Sequence, residues 1–65
     1  MIRVNGEAFA WREGLSVQDI LAAKRYTFPL LIVTVDDTHV ARPDYPRTLV
    51  PDGADVKVVH LMSGG

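Results

Sequence analysis

IRVNGEAFAW (residues 2–11) is the segment on which the predicted architecture of this chain depends. Apolar and polar residues alternate on both sides of the pair Asn5-Gly6. An Asn-Gly pair in this setting is the strongest short-range signal of a β-hairpin, because a type I′ turn needs positive φ at both central positions. The segment therefore predicts two antiparallel strands, whose inward-facing residues are Ile2, Val4, Phe9 and Trp11.

A short helix is predicted after this hairpin. Gly14 interrupts the strand pattern, and Ser16 belongs to the residue types that cap helix N-termini. Asp19 follows at the third helical position, where the positive end of the helix dipole favours a carboxylate. We expect the helix over residues 17–24, held by packing on a sheet because it is too short to be stable alone. Its apolar stripe is Val17, Ile20 and Leu21.

Three more strands are predicted in the second half of the chain. Residues 30–35 form a buried strand, and the Asp36-Asp37 pair turns the chain into a short strand over residues 39–41. Residues 56–62 form the last strand. The order strand, strand, helix, strand, strand, strand predicts a two-layer α+β fold, with one helix across one face of a sheet.

The loop before the last strand is expected to be irregular. Two prolines exclude regular structure over most of residues 42–46. Leu49 and Val50 are expected to return to the core, and residues 51–53 form a turn.

Composition limits the classes of function. The chain has 65 residues, which make one domain near the lower limit for a self-sufficient core. It has no cysteine, so disulfides, thiolate chemistry and Cys-based zinc sites are excluded. A net charge of −1 gives no reason to expect binding to nucleic acid or to an anionic membrane. No apolar run is long enough to span a bilayer and no signal segment opens the chain, so we expect a soluble cytoplasmic protein.

The last predicted strand has apolar residues of both parities. Val56 and Val58 share one face, and Lys57, Val59 and Leu61 share the other. One helix covers only one face, so if Val56 and Val58 lie beneath it, Val59 and Leu61 stand on the open face. Exposed aliphatics indicate a surface that another protein covers. The alternative is a central strand that is half-buried on both sides.

The chain ends in Gly64-Gly65, and we expect a domain over residues 1–62 with a flexible tail over residues 63–65. Two residues without Cβ atoms fit a channel too narrow for other side chains. A terminal carboxylate is a poor electrophile at neutral pH, because its pKa is about 3.3–3.7. Conversion to an acyl adenylate would open its carbon to a nucleophile. The tail therefore indicates a protein whose reactive group is its own terminus, and the alternative is an ordinary frayed end.

Other side chains give no pattern of a catalytic or metal site. His39 and His60 are the only histidines, and neither has a partner at zinc-ligand spacing. Asp36-Asp37 has the composition of a solvated turn. We expect no catalytic residue and no metal ligand.

Five segments, in a fixed order over nearly the whole chain, resemble a known family. They are Ile2-Arg3-Val4-Asn5-Gly6, Gly14-x-Ser16-Val17-x-x-Ile20-Leu21, Val40-Ala41-Arg42-x-x-Tyr45, Leu49-x-x-Asp52-Gly53 and Gly64-Gly65. The family is that of the ubiquitin-like β-grasp sulfur carriers, and the resemblance is greatest to the thiamine-biosynthesis sulfur carriers (ThiS). Tyr45 stands where the family more often has Trp, which affects packing and leaves the tail intact.

This resemblance implies a mixed sheet of four or five strands, with the first and last strands as parallel neighbours. It implies that an E1-like enzyme adenylates the Gly65 carboxylate, using ATP and Mg²⁺. A sulfur donor, such as a persulfide from a cysteine desulfurase system, then displaces AMP to leave a thiocarboxylate, which a thiazole synthase uses. The chain itself would be a carrier without a bound cofactor, and a monomer when free.

On this interpretation Gly65 carries the modification, and Ser63 and Gly64 thread the tail into the partner. The expected partner-binding residues are Ile32, Val59, Leu61 and Met62. Three alternatives remain open: the small subunit of molybdopterin synthase, another thiocarboxylate carrier, and a β-grasp interaction module that is never activated.

Overall fold

The computed structural model describes residues 1–26 and 30–60. Its elements follow the predicted order, with five strands in one sheet arranged β2-β1-β5-β3-β4. The first and last strands, β1 and β5, are parallel neighbours at the centre, and the other pairs are antiparallel. The elements are β1 (Ile2–Val4), β2 (Glu7–Phe9), α1 (Val17–Ala23), β3 (Leu31–Val35), β4 (Thr38–Val40), a 3₁₀-helix (Arg42–Asp44) and β5 (Asp55–His60).

The turn between β1 and β2 has the predicted backbone geometry. Asn5 and Gly6 both have positive φ, at 52° and 82°. Both central positions of a type I′ turn need this conformation, and Asn and Gly adopt it at low cost.

Helix α1 begins at the predicted cap. Ser16 Oγ accepts a hydrogen bond from the Asp19 N–H at 3.1 Å, and the Asp19 carboxylate accepts one from the Ser16 N–H at 3.0 Å. This reciprocal pair is a capping box, with Asp in the place of the usual Glu or Gln. The bonds from Ser16 lower the pKa of Asp19 below its ordinary value. The helix ends at Ala23 with Lys24 as its C-cap, one residue earlier than predicted.

The core lies between α1 and one face of the sheet. The predicted inward residues Ile2 and Val4 of β1, the predicted apolar stripe of α1 and the valines Val56 and Val58 of β5 are all buried, and the neighbouring loops add further members. The core residues are Ile2, Val4, Leu15, Val17, Ile20, Leu21, Val33, Val40, Tyr45, Val50, Ala54, Val56 and Val58.

The expectation that Leu49 returns to the core is wrong. Its neighbour Val50 is buried, and the Val50 N–H donates to the Leu15 carbonyl at 2.8 Å. Leu49 forms an isolated antiparallel bridge with Ser16. Successive residues of extended chain point to opposite sides, so Leu49 faces outward with 63% of its surface exposed.

The predicted strand over residues 30–35 is not buried throughout. It begins at Leu31, and only Val33 is fully buried along it. Leu30 lies just before the strand and is 49% exposed. This strand has one covered face, so its side chains alternate between core and surface despite an almost continuous apolar sequence.

Trp11 lies outside β2, which ends at Phe9. Both aromatic side chains pack against the core but are only half-buried. The indole N–H of Trp11 donates to the Val50 carbonyl at 2.7 Å, which ties the end of the first hairpin to the loop before β5.

Three further boundaries differ from the prediction. The 3₁₀-helix at Arg42–Asp44 lies in a segment predicted to be irregular, because a proline near a helix start removes an N–H that has no partner there. Strand β4 begins one residue earlier than predicted, at Thr38. Strand β5 also begins one residue earlier, at Asp55, and its predicted end lies outside the described residues.

Candidate partner-binding face

The sheet face turned away from α1 carries an exposed apolar pair. Ile32 in β3 lies directly opposite Val59 in β5. The two side chains are 38% and 52% exposed. They are two of the predicted partner-binding residues, and the register places them side by side. We call this surface the open face.

The register of β5 explains why Val59 is exposed. Val56 and Val58 are buried and lie opposite Val35 and Val33. Side chains alternate along a strand, so Val59 projects on the other side. The prediction that Val56 and Val58 lie on the core face and Val59 on the other face is confirmed. The alternative of a strand half-buried on both sides is wrong for Val59.

Charged and polar residues continue the open face toward the start of β5. Lys57 lies opposite Thr34, and Asp55 is the parallel neighbour of Arg3. The Lys57 ammonium lies 3.8 Å from a carboxylate oxygen of Asp37, in an exposed ion pair that contributes little to stability. The apolar pair therefore stands at one end of the face with polar residues at the other, an arrangement typical of an interface core beside its rim.

Leu30 is an exposed residue that the sequence prediction left out of this face. It lies two positions before Ile32, just outside β3. The available signal was its parity, which it shares with Ile32. The prediction instead treated residues 30–35 as a buried strand and singled out Ile32 alone for partner binding.

The side chain of Asn5 contacts β5 close to the apolar pair. Its Oδ1 accepts a hydrogen bond from the Val58 N–H at 2.8 Å, and its Nδ2 donates to the Val58 carbonyl at 3.2 Å. The sequence prediction used Asn5 only as a turn residue. A side chain reaching across a sheet to a strand 53 positions later has no signal in local sequence.

The remaining predicted site residues lie outside the described part of the chain. They are Leu61, Met62, Ser63, Gly64 and Gly65. The last described residue, His60, pairs with Leu31 at the end of the open face that holds Ile32 and Val59.

Comparison with protein families identifies the chain. The model of the ThiS family matches residues 2–65. The chain belongs to the ThiS family. The match includes the terminal Gly64-Gly65 together with every described strand and the helix.

The ThiS assignment agrees with a solved structure. This chain is similar to the crystal structure of a thiamine biosynthesis protein (ThiS) from Geobacter metallireducens, with a TM-score of 0.78 and 25% sequence identity. The similarity covers 98% of this chain and 97% of that chain. No curated protein sequence gives a significant match. The predicted α+β, ubiquitin-like β-grasp fold is confirmed.

Within residues 1–26 and 30–60 of this ThiS-family chain, no three His, Cys, Asp or Glu residues are grouped so as to hold a metal ion. His39 and His60 are exposed on different strands, opposite Thr34 and Leu31 respectively. No helix in the same ranges is long and apolar enough to cross a membrane.

Proposed function

We propose that this ThiS-family chain is a sulfur carrier for thiazole formation in thiamine biosynthesis and is not itself a catalyst. The family match over residues 2–65 carries the proposal, because it joins the folded domain to the Gly-Gly end in one family pattern. The similar crystal structure is that of a thiamine biosynthesis protein, which supports the choice of pathway.

The first chemical step is activation of the Gly65 carboxylate by an E1-like enzyme. A carboxylate oxygen attacks the α-phosphorus of ATP, an O–P bond forms, and the bond to the β-phosphate breaks as pyrophosphate leaves. Mg²⁺ bound by the activating enzyme balances the phosphate charge. The adenylate replaces an anionic oxygen by a good leaving group, which a carboxylate at neutral pH lacks.

The second step transfers sulfur. The terminal sulfur of a persulfide, supplied by a cysteine desulfurase system, attacks the carbonyl carbon of Gly65, and AMP leaves with the electrons of the broken C–O bond. A second thiol then reduces the resulting acyl disulfide. The thiocarboxylate is released, and the two thiol sulfurs join in a new disulfide. A thiazole synthase accepts sulfur from the thiocarboxylate.

Recognition is assigned to the open face. Ile32 and Val59 form an exposed apolar pair on β3 and β5, near the end of β5 that precedes the tail. We propose that Leu61 and Met62 extend this contact, while Ser63 and Gly64 pass through a narrow channel to the active site of the partner. The free chain is expected to be a monomer in the cytoplasm, where ATP is available.

Intact-mass spectrometry tests this function. The chain is incubated with ATP, Mg²⁺, the adenylating enzyme of the same organism and a sulfide source. Exchange of one oxygen for sulfur adds the same nominal mass as oxidation of a methionine to its sulfoxide. The modification must therefore depend on ATP, react with a thiol-alkylating reagent and map to the C-terminal peptide. A shift that maps to Met1 or to the Met62 side chain would contradict the proposal.

A second assay distinguishes the pathways. The thiocarboxylate form is mixed separately with a thiazole synthase and with the large subunit of molybdopterin synthase. Loss of sulfur to the first supports the proposal. Loss only to the second supports the molybdopterin alternative, and an unmodified chain in the loading assay supports an interaction module.

A further inference from the structure

We infer that Asn5 is a positioning residue for partner docking, because its side chain extends the β1–β5 ladder and fixes the part of β5 that carries Val59. The inference rests on the proposed function for the identity of the partner, which is the adenylating enzyme. The Asn5–Val58 contact itself is independent of that function.

The backbone of β1 stops pairing with β5 at the turn. Arg3 and Val4 are the parallel neighbours of Asp55 and Val56, and the Asn5 N–H donates to the Val56 carbonyl at 2.9 Å. At Asn5 the chain takes a positive φ of 52° and turns into β2. A strand that continued straight would next offer backbone groups to Val58, and β1 does not.

The carboxamide of Asn5 takes the place of that missing backbone. It presents one acceptor and one donor to the Val58 N–H and carbonyl, at 2.8 and 3.2 Å. Asn combines tolerance of positive φ with a carboxamide that carries both groups, whereas Asp offers only acceptors and Gly has neither. The turn therefore needs a residue that tolerates positive φ. The two hydrogen bonds to Val58 need an amide side chain as well.

The contact bears on the open face because of strand geometry. Successive residues of a strand direct their backbone groups to opposite neighbours, so Val58 faces β1 and Val59 faces β3. With the carboxamide in place, β5 is held on both sides at the position next to Val59. Without it, this part of β5 is tied to β3 alone, so the Ile32–Val59 pair loses its attachment to the rest of the sheet through β1.

Two substitutions distinguish the hydrogen bonds between Asn5 and Val58 from the role of Asn5 in the turn. Asn5→Gly keeps a residue that accepts positive φ and removes both hydrogen bonds. Asn5→Asp keeps the acceptor for the Val58 N–H and places a carboxylate oxygen against the Val58 carbonyl. Ser16→Ala is the matched control, because it removes the α1 cap, lowers stability and leaves the Asn5 contact intact.

The assay is ATP–pyrophosphate exchange catalysed by the adenylating enzyme of the same organism, with the carrier as the varied substrate, well below the melting temperature of each variant. We expect Asn5→Gly to raise KM for the carrier by about tenfold, equivalent to about 1.4 kcal/mol, with kcat nearly unchanged. Asn5→Asp should move KM in the same direction. Ser16→Ala should leave both constants unchanged.

Amide hydrogen exchange followed by NMR gives the structural readout. The Val58 amide should exchange faster in Asn5→Gly, which has no acceptor for it, and should keep its protection in Ser16→Ala. An unchanged KM in the two Asn5 variants would overturn the inference. An equal rise of KM in Ser16→Ala would also overturn it, because general destabilisation would then explain the effect. Absence of exchange activity with the wild-type chain would overturn the proposed function, whereas wild-type activity equal to that of both Asn5 variants would overturn this inference alone.

Discussion

Asp36 holds the first residue of β5, Asp55, by two hydrogen bonds. The Asp36 N–H donates to the Asp55 carbonyl at 2.9 Å, and the Asp36 carboxylate accepts from the Asp55 N–H at 2.9 Å. The adjacent Asp37 is exposed and makes only the long ion pair with Lys57 among its described contacts. Two identical neighbours in one turn therefore have different roles.

This difference predicts opposite effects for two glycine substitutions. Asp37 has a φ of 67°, and Asp-Gly is a favoured pair for such a turn. Asp37→Gly should raise the melting temperature, by roughly 4 °C for a gain of about 0.5–1 kcal/mol. Asp36→Gly should lower it, because the bond to the Asp55 N–H is lost. Thermal unfolding followed by circular dichroism measures both, and a less stable Asp37→Gly variant would contradict the assignment of roles.

Val59→Asp should weaken partner binding while the domain stays folded. The residue is half exposed, so the charge costs the free protein little, but the partner would have to bury it. Loss of a central anchor raises Kd by about thirtyfold or more, equivalent to about 2 kcal/mol. Leu61→Asp is expected to act in the same direction.

Leu49→Asp is the matched control for that change. Leu49 is also an exposed aliphatic, but it lies in the loop before β5 and outside the open face. Its substitution should leave the affinity for the adenylating enzyme unchanged in isothermal titration calorimetry. Equal losses in the two variants would show that the effect comes from surface charge and not from the open face.

Asp19→Asn should destabilise the protein in a pH-dependent way. The bonds from Ser16 lower the pKa of Asp19 in the folded state below the ordinary aspartate value of 3.8. The ionised carboxylate therefore adds stability above that pH, and the contribution is lost as pH falls through the folded-state pKa. The difference between wild type and variant in urea unfolding should be largest near pH 7 and should shrink towards about pH 3. A difference of the same size at both values would contradict this.

Deletion of Gly65 should abolish sulfur loading while thermal unfolding is unchanged. The reacting carbon would then sit one residue, or about 3.3 Å, short of its place in the active site of the partner. Gly64→Val should impair loading because its branched side chain does not fit a channel shaped for glycine. Mass spectrometry measures loading for both, and normal loading of either would show that the tail does not act by this route.

Local chemistry made the main elements predictable. The Asn5-Gly6 pair specified its turn, and Ser16 with Asp19 specified the start of the helix, because each signal acts within a few residues. The parity of Val58 and Val59 was also sufficient, since a single helix covers one face only. These features fixed the fold class and placed Ile32 and Val59 on the surface.

The errors come from contacts between distant segments. Leu49 points outward because Val50 bonds to Leu15 across the domain, and the half-buried position of Trp11 depends on the Val50 carbonyl. Asn5 and Asp36 each use a turn side chain to bind the backbone of β5. Hydrophobic periodicity contains no information on such bonds, which join residues far apart in sequence.

The central place of β5 has a consequence for synthesis of the protein. A ribosome releases β1 first, yet its parallel neighbour in the middle of the sheet is the last strand to emerge, and pairings this distant in sequence form late. A nascent or truncated chain that stops before Asp55 leaves β1 and β3 with open edges, which invite aggregation. The complete sheet therefore cannot form before translation has passed His60, close to the glycines on which the proposed function depends.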